Sequence, residues 1–90
     1  MKTEQFIIYG HVQGVGFRFF TWREAQRIGV TGWVKNQSNG SVAVLAQGTE
    51  QQLETFYRWL QQGPKTATVN YVESFTVENN TIYSDFQILH

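Results

Sequence analysis

The stretch GWVKNQSNGSVAVLAQG, residues 32–48, holds two short apolar, β-branched runs, Gly32 to Asn36 and Ser41 to Gln47, on either side of the turn sequence NQSNGS. Asn39-Gly40 is a strong hairpin signal, because both residues tolerate the backbone angles of a tight reversal between antiparallel strands. The hairpin decides the topology because a helical pattern lies on each side of it. From Phe19 to Ile28 the spacing is helical, with Thr21, Ala25 and Ile28 on one face and Gly29 placed as a C-terminal stop. Downstream, TEQQLETFYRWLQQG opens with a capping-box pattern at Thr49 and Gln52. Leu53, Phe56, Tyr57 and Leu60 then follow the i, i+3, i+4, i+7 rule, and Gly63-Pro64 ends the segment. Strand periodicity flanks both helices. Phe6 to Val12 sets Phe6, Ile8 and Val12 against Ile7, Tyr9 and His11, Tyr71 to Val77 reads as a strand, and Ser84 to Leu89 as a shorter one after the ENNT turn.

The resulting order is β-α-β-β-α-β plus a short C-terminal strand. It predicts an α+β, ferredoxin-like split β-α-β sandwich: a largely antiparallel sheet with two helices on one face. Ninety residues without repeats, linkers or low-complexity segments fit one domain over residues 1–90.

Composition narrows the partners. Seven Lys and Arg balance seven Asp and Glu, so no long-range field draws the chain to nucleic acid or an anionic membrane, and any anion must be recognised locally. Cysteine is absent, which excludes disulfides and thiolate metal sites and suits a reducing compartment. The N-terminal apolar run extends only from Phe6 to Tyr9, too short for a secretory or membrane-spanning segment. A cytoplasmic monomer that binds neither nucleic acid nor membrane is expected.

Between the first strand and the first helix, GHVQGVGFR places Gly10, Gly14 and Gly16 ahead of Arg18. Glycines allow positive φ and close approach of backbone, so the N–H groups from Gln13 to Arg18 are expected to gather beside the positive end of the first helix. That makes a nest of phosphate size. Neither G-x-G-x-x-G nor G-x-x-x-x-G-K-[ST] occurs, so the marks of a nucleotide site are missing. Arg18 supplies a planar, permanently charged fork suited to two phosphoryl oxygens. Taken alone, the loop is simply a glycine-rich turn with a surface arginine. Asn36, at the end of the second strand, carries an amide that can accept from and donate to a water, although by itself it reads as a turn-stabilising residue.

Together, IYGHVQGVGFR and GWVKNQSNGSVAVLAQG resemble the two signature segments of the acylphosphatase family, in that family's order and approximate separation. The resemblance covers nearly the whole chain. It implies that Gln13, Gly14, Val15, Gly16, Phe17 and Arg18 form a phosphate-binding loop, that Arg18 is the phosphate-binding arginine, and that Asn36 orients the attacking water. The implied substrate is a small acyl phosphate, R–CO–O–PO₃²⁻, hydrolysed to carboxylate and inorganic phosphate, with phosphate or sulfate competing for the loop. A carboxylate departs as a stable anion, so no general acid is needed, and positioning and electrostatics supply most of the catalysis. Asn36 cannot take a proton, so the water's proton is assigned to a phosphate oxygen of the substrate. The final DFQILH resembles the family's C-terminal strand only loosely, and the site is expected not to depend on it.

The remaining residues carry simpler readings. His11 is structural, Lys35 points away from Asn36 to solvent, and Glu50 and Glu54 lie on the polar side of the second helix. The carboxylates are dispersed, so neither a metal nor a cofactor is expected. Phe19, Phe20 and Trp22 either pack in the core, the simpler reading, or line a substrate mouth. The rival function is a non-catalytic ferredoxin-like regulatory module that binds a small anion through the loop and Arg18 and has no use for Asn36. An RNA reader is disfavoured because SVAVLAQG has no aromatic residue for stacking.

Overall fold

The structure, a computed structural model, describes residues 1–78 and 81–90. Its elements are β1 (Lys2–His11), α1 (Phe17–Ile28), β2 (Thr31–Asn36), β3 (Val42–Gly48), α2 (Glu50–Gln62), β4 (Thr68–Thr76) and β5 (Phe86–Leu89). One five-stranded sheet has the order β4-β1-β3-β2-β5. All neighbours are antiparallel except β5, which runs parallel to β2. The ferredoxin-like arrangement is therefore present, with one parallel pair at its edge. The turn expected in ENNT falls partly on Asn79 and Asn80, which lie outside the described residues.

Strand parity and helical spacing converge on one core. Phe6, Ile8, Val34, Val42, Val44 and Ala46 from the sheet, with Val12 just past β1, meet Phe17 and Ala25 of α1 and Leu53, Phe56 and Leu60 of α2. Phe56 presents its edge to Phe6, with centroids 6.2 Å apart, and to Phe86 at 5.9 Å, the geometry favoured by ring quadrupoles. Tyr57 is half-buried and stacks on Phe6 instead of entering the core. The capping box forms as its residues predict, with Gln52 N–H donating to Thr49 Oγ1 and Thr49 N–H to Gln52 Oε1. The hairpin also forms, through a loop of Ser38, Asn39 and Gly40: Gly40 N–H donates to the Gln37 carbonyl and Gln37 N–H to the Ser41 carbonyl.

Several elements extend beyond the ranges read from the sequence. Polar Lys2 to Gln5 join β1 because they pair with Gly48 to Leu45 of β3, a partner that local hydrophobicity does not reveal. Helix α1 begins two residues early, since Phe17 is buried and fixes the first turn in the core. β4 starts at Thr68, continuing past a bulge at Tyr9/Gly10. There Gly10 takes φ 138°, and a Cβ would lie 2.1 Å from the Thr68 carbonyl oxygen. Gly10 thus serves close strand approach and not the anion loop.

Thr21 is completely buried on α1, and its Oγ1 has no hydrogen-bond partner among the described residues. An unsatisfied buried hydroxyl is destabilising, and valine has the same shape without it. Thr21→Val is expected to raise stability by about 1 kcal/mol and Tm by roughly 4–8 °C for a domain of this size. Thermal unfolding followed by circular dichroism checks this, and an unchanged or lower Tm would mean that the hydroxyl is satisfied in solution.

Candidate active site

The β1–α1 loop and the end of β2 meet at one end of the sheet. Gly14 has φ 74° and Gly16 φ 78°, whereas Val15 between them has no positive φ. Positive φ on both sides of an ordinary residue is the backbone pattern by which neighbouring N–H groups converge on an anion, and a side chain at either glycine would be strained by φ alone. Gly16 is the N-cap of α1 without a side-chain cap bond, and no acidic residue occupies the first turn. The positive helix end is therefore not neutralised by its own sequence. Among the described residues, no hydrogen-bond partner exists for the N–H groups of Gly14 through Phe19.

Three anchors hold this loop. Phe17 is buried, its ring 6.0 Å from that of Trp59. Thr66 Oγ1 donates to the Val15 carbonyl at 2.7 Å. Gln13 Nε2 donates to the carbonyls of Gln37 at 2.7 Å and Ser41 at 2.9 Å, across to the β2–β3 hairpin.

Arg18 projects from the first turn of α1 toward β5. Its Nη1 donates to the Leu89 carbonyl at 2.9 Å and lies 3.4 Å from His90 Nδ1. The other guanidinium nitrogens have no partner among the described residues, so an edge of the fork remains for an anion. Asn36 is exposed, its backbone paired with Val42 and its side-chain amide without a partner among the described residues. Gly14, Gly16, Phe17, Arg18 and Asn36 line a single cavity of about 260 Å³, together with Val12, Phe19, Ile88 and His90. A second cleft, at the other end of β1, is rimmed by Glu4, Glu50 and Glu54 with Lys2, which pairs with Glu50, and this excess of carboxylates suits it poorly to an anion.

Such a cavity offers fixed N–H dipoles, one permanent cation and a neutral amide able to bind water, and these are the components needed to hold a phosphoryl group for attack. Among the described residues no group of three or more His, Cys, Asp or Glu side chains is placed to hold a metal. The acylphosphatase family model matches residues 4–88. The chain belongs to the acylphosphatase family. It is 50% identical over 88 residues to an acylphosphatase of Actinobacillus succinogenes, covering 98% of each chain. Its fold is similar to the crystal structure of acylphosphatase from Bacillus subtilis, with TM-score 0.95, 33% identity and full coverage of both chains. An acylphosphatase structure from Coxiella burnetii is similar at TM-score 0.92 and 34% identity, covering 98% of this chain and 92% of that one.

Within this acylphosphatase fold, the residues read from the sequence divide between those that line the cavity and those that lie beside it. Val15 is held by its carbonyl and packs toward the core, and Gln13 directs its amide to the hairpin, so neither side chain lines the cavity. Phe19, read first as core, is 50% exposed and lines the mouth, while Phe20 and Trp22 are half-buried beside it. His11 is exposed at the end of β1 and lies outside the cavity lining. Lys35 is exposed over the Trp33 ring, on the face opposite Asn36. The C-terminal strand expected over Ser84 to Leu89 is present as β5, but its backbone also touches the site, which the sequence does not suggest. Leu89 orients Arg18 through a main-chain carbonyl that any residue can supply, so no side-chain signal marks it.

Proposed function

We propose that the loop from Gly14 to Arg18 binds the phosphoryl group of a small acyl phosphate and that Asn36 orients the water that attacks it. The observation supporting this most strongly is the shared cavity: Gly14, Gly16 and Arg18 from β1–α1 and Asn36 from β2 all line one space. In the proposed step a bond forms between the water oxygen and phosphorus while the phosphorus–acyl oxygen bond breaks. The bonding pair leaves with the carboxylate, and the water's proton passes to a phosphoryl oxygen. Arg18 and the N–H groups stabilise the charge on the equatorial oxygens, as fixed donors do at transferring phosphoryl groups. Asn36 contributes orientation alone.

A silent anion-binding module would use the loop and Arg18 but gives no reason for an unpartnered amide at the cavity wall. No helix among the described residues is long and apolar enough to cross a membrane. With the balanced charge, this is compatible with a cytoplasmic monomer acting on a small metabolite.

Incubation of the purified protein with benzoyl phosphate tests the reading. Hydrolysis is expected at the same rate with and without EDTA, because Arg18 neutralises phosphoryl charge directly, and inorganic phosphate or sulfate should compete with substrate. Loss of activity on chelation with recovery on Mg²⁺ addition would contradict the mechanism, as would indifference to a large excess of phosphate.

A further inference from the structure

We infer that Gln13 is a positioning residue that sets the distance between the anion loop and the water-orienting Asn36. The inference rests on the roles proposed above for the loop and for Asn36. Both partners of Gln13 Nε2 are carbonyl oxygens, of Gln37 and Ser41, so the NH₂ end of the amide must face them and its orientation is unambiguous. Both protons of one nitrogen are thereby used on the hairpin. Gln13 directly precedes Gly14, which lines the cavity, and Gln37 directly follows Asn36. One side chain therefore links the two parts of the site that come from different strands.

The hairpin end of this link is stiff. Gln37 N–H donates to the Ser41 carbonyl at 2.9 Å, and Gln37 Nε2 donates to Ser41 Oγ at 2.9 Å. Ser41 N–H and Oγ both donate to Asn39 Oδ1, at 3.0 and 2.6 Å. Ser41 itself is buried. The loop end is stiff as well, through Phe17 and Thr66. The β1–β3 ladder ends at Ile8/Val42 and the β2–β3 ladder at Asn36/Val42, so beyond them the two Gln13 bonds are what fixes the loop against the hairpin, and their loss lets the two ends shift relative to each other. Water placement is the step most sensitive to such a shift, whereas phosphate contacts lie wholly on the loop side.

The test compares the parent with Gln13→Ala, Gln13→Glu, Asn36→Ala and the Gln13→Ala/Asn36→Ala double variant. Benzoyl phosphate hydrolysis, calorimetric phosphate affinity and thermal unfolding are measured for each. Glutamate has the length of glutamine but only acceptors to set against two carbonyls, and Gln13→Met serves if the alanine variant does not fold. The expected result for Gln13→Ala is a kcat lower by roughly 10-fold, within the range known for small misplacements, with phosphate affinity within about twofold of the parent. Gln13→Glu should lose at least as much. The double variant should be no slower than Asn36→Ala alone, since Gln13 acts through Asn36. An equal fractional loss in both backgrounds, or a fall in phosphate affinity matching the fall in kcat, would overturn the inference. So would parent-like turnover in the glutamate variant. If Asn36→Ala alone hydrolyses substrate at the parent rate, the proposed role of Asn36 fails, and this inference fails with it.

Discussion

Arg18→Ala is expected to lose phosphate binding and turnover together, with kcat/KM for benzoyl phosphate falling by roughly 10³–10⁵, the range seen for arginines on transferring phosphoryl groups. Charge alone does not replace the guanidinium. Arg18→Lys keeps a cation but cannot both hold the Leu89 carbonyl and present a planar pair of donors to phosphoryl oxygens. It too should lose most activity, and near-parent turnover of the lysine variant would demote Arg18 to a surface residue. The sequence suggests an arginine reserved for ligand, whose removal leaves stability unchanged. The bond to β5 alters that expectation to a loss of about 1 kcal/mol in the alanine variant, measurable by urea unfolding and too small to explain the loss of activity.

The second large effect falls on kcat alone. Asn36→Ala should lower kcat by roughly 10²–10³, the typical effect of removing one preorganised polar group, while phosphate affinity stays close to that of the parent. The Asn36 side-chain amide makes no bond to other described residues, and the hairpin reversal is held by Gln37, Asn39 and Ser41. Folding should therefore be unaffected, and circular dichroism verifies this. A well-folded Asn36→Ala protein with parental turnover would refute the water-orienting role.

Much of this molecule was legible in its sequence because its local signals agree. The Asn39-Gly40 reversal between two amphipathic helices, the Thr49/Gln52 capping box and the alternation through Phe6, Ile8 and Val12 all point to one topology. The ends of elements were less legible. Lys2 to Gln5 form strand only because β3 lies alongside them, and Thr68 joins β4 only across a bulge that needs Gly10.

The site divides in the same way. Gly14, Gly16, Arg18 and Asn36 are marked by residue type, since each supplies something few other residues can. The Leu89 carbonyl and the carbonyls that receive Gln13 are main-chain groups with no residue signature. Gln13 stands in the glycine loop by sequence, but its partners are not legible there, because they lie in the hairpin 24 and 28 residues away. Phe19 has the composition of a core residue, yet it begins on the first turn of α1 beside a cavity and stays half exposed.

The central claim is that the loop and Arg18 are where the phosphoryl group sits, and the most direct measurement is a titration of inorganic phosphate into the ¹⁵N-labelled parent protein followed by NMR. The amide resonances of Gly14 to Arg18 and the Arg18 side-chain N–H should move most, saturating at the phosphate concentration that half-inhibits benzoyl phosphate hydrolysis. Shifts centred instead on the groove bearing Arg23 and Lys65, or a loop that stays silent at inhibitory phosphate, would contradict the account.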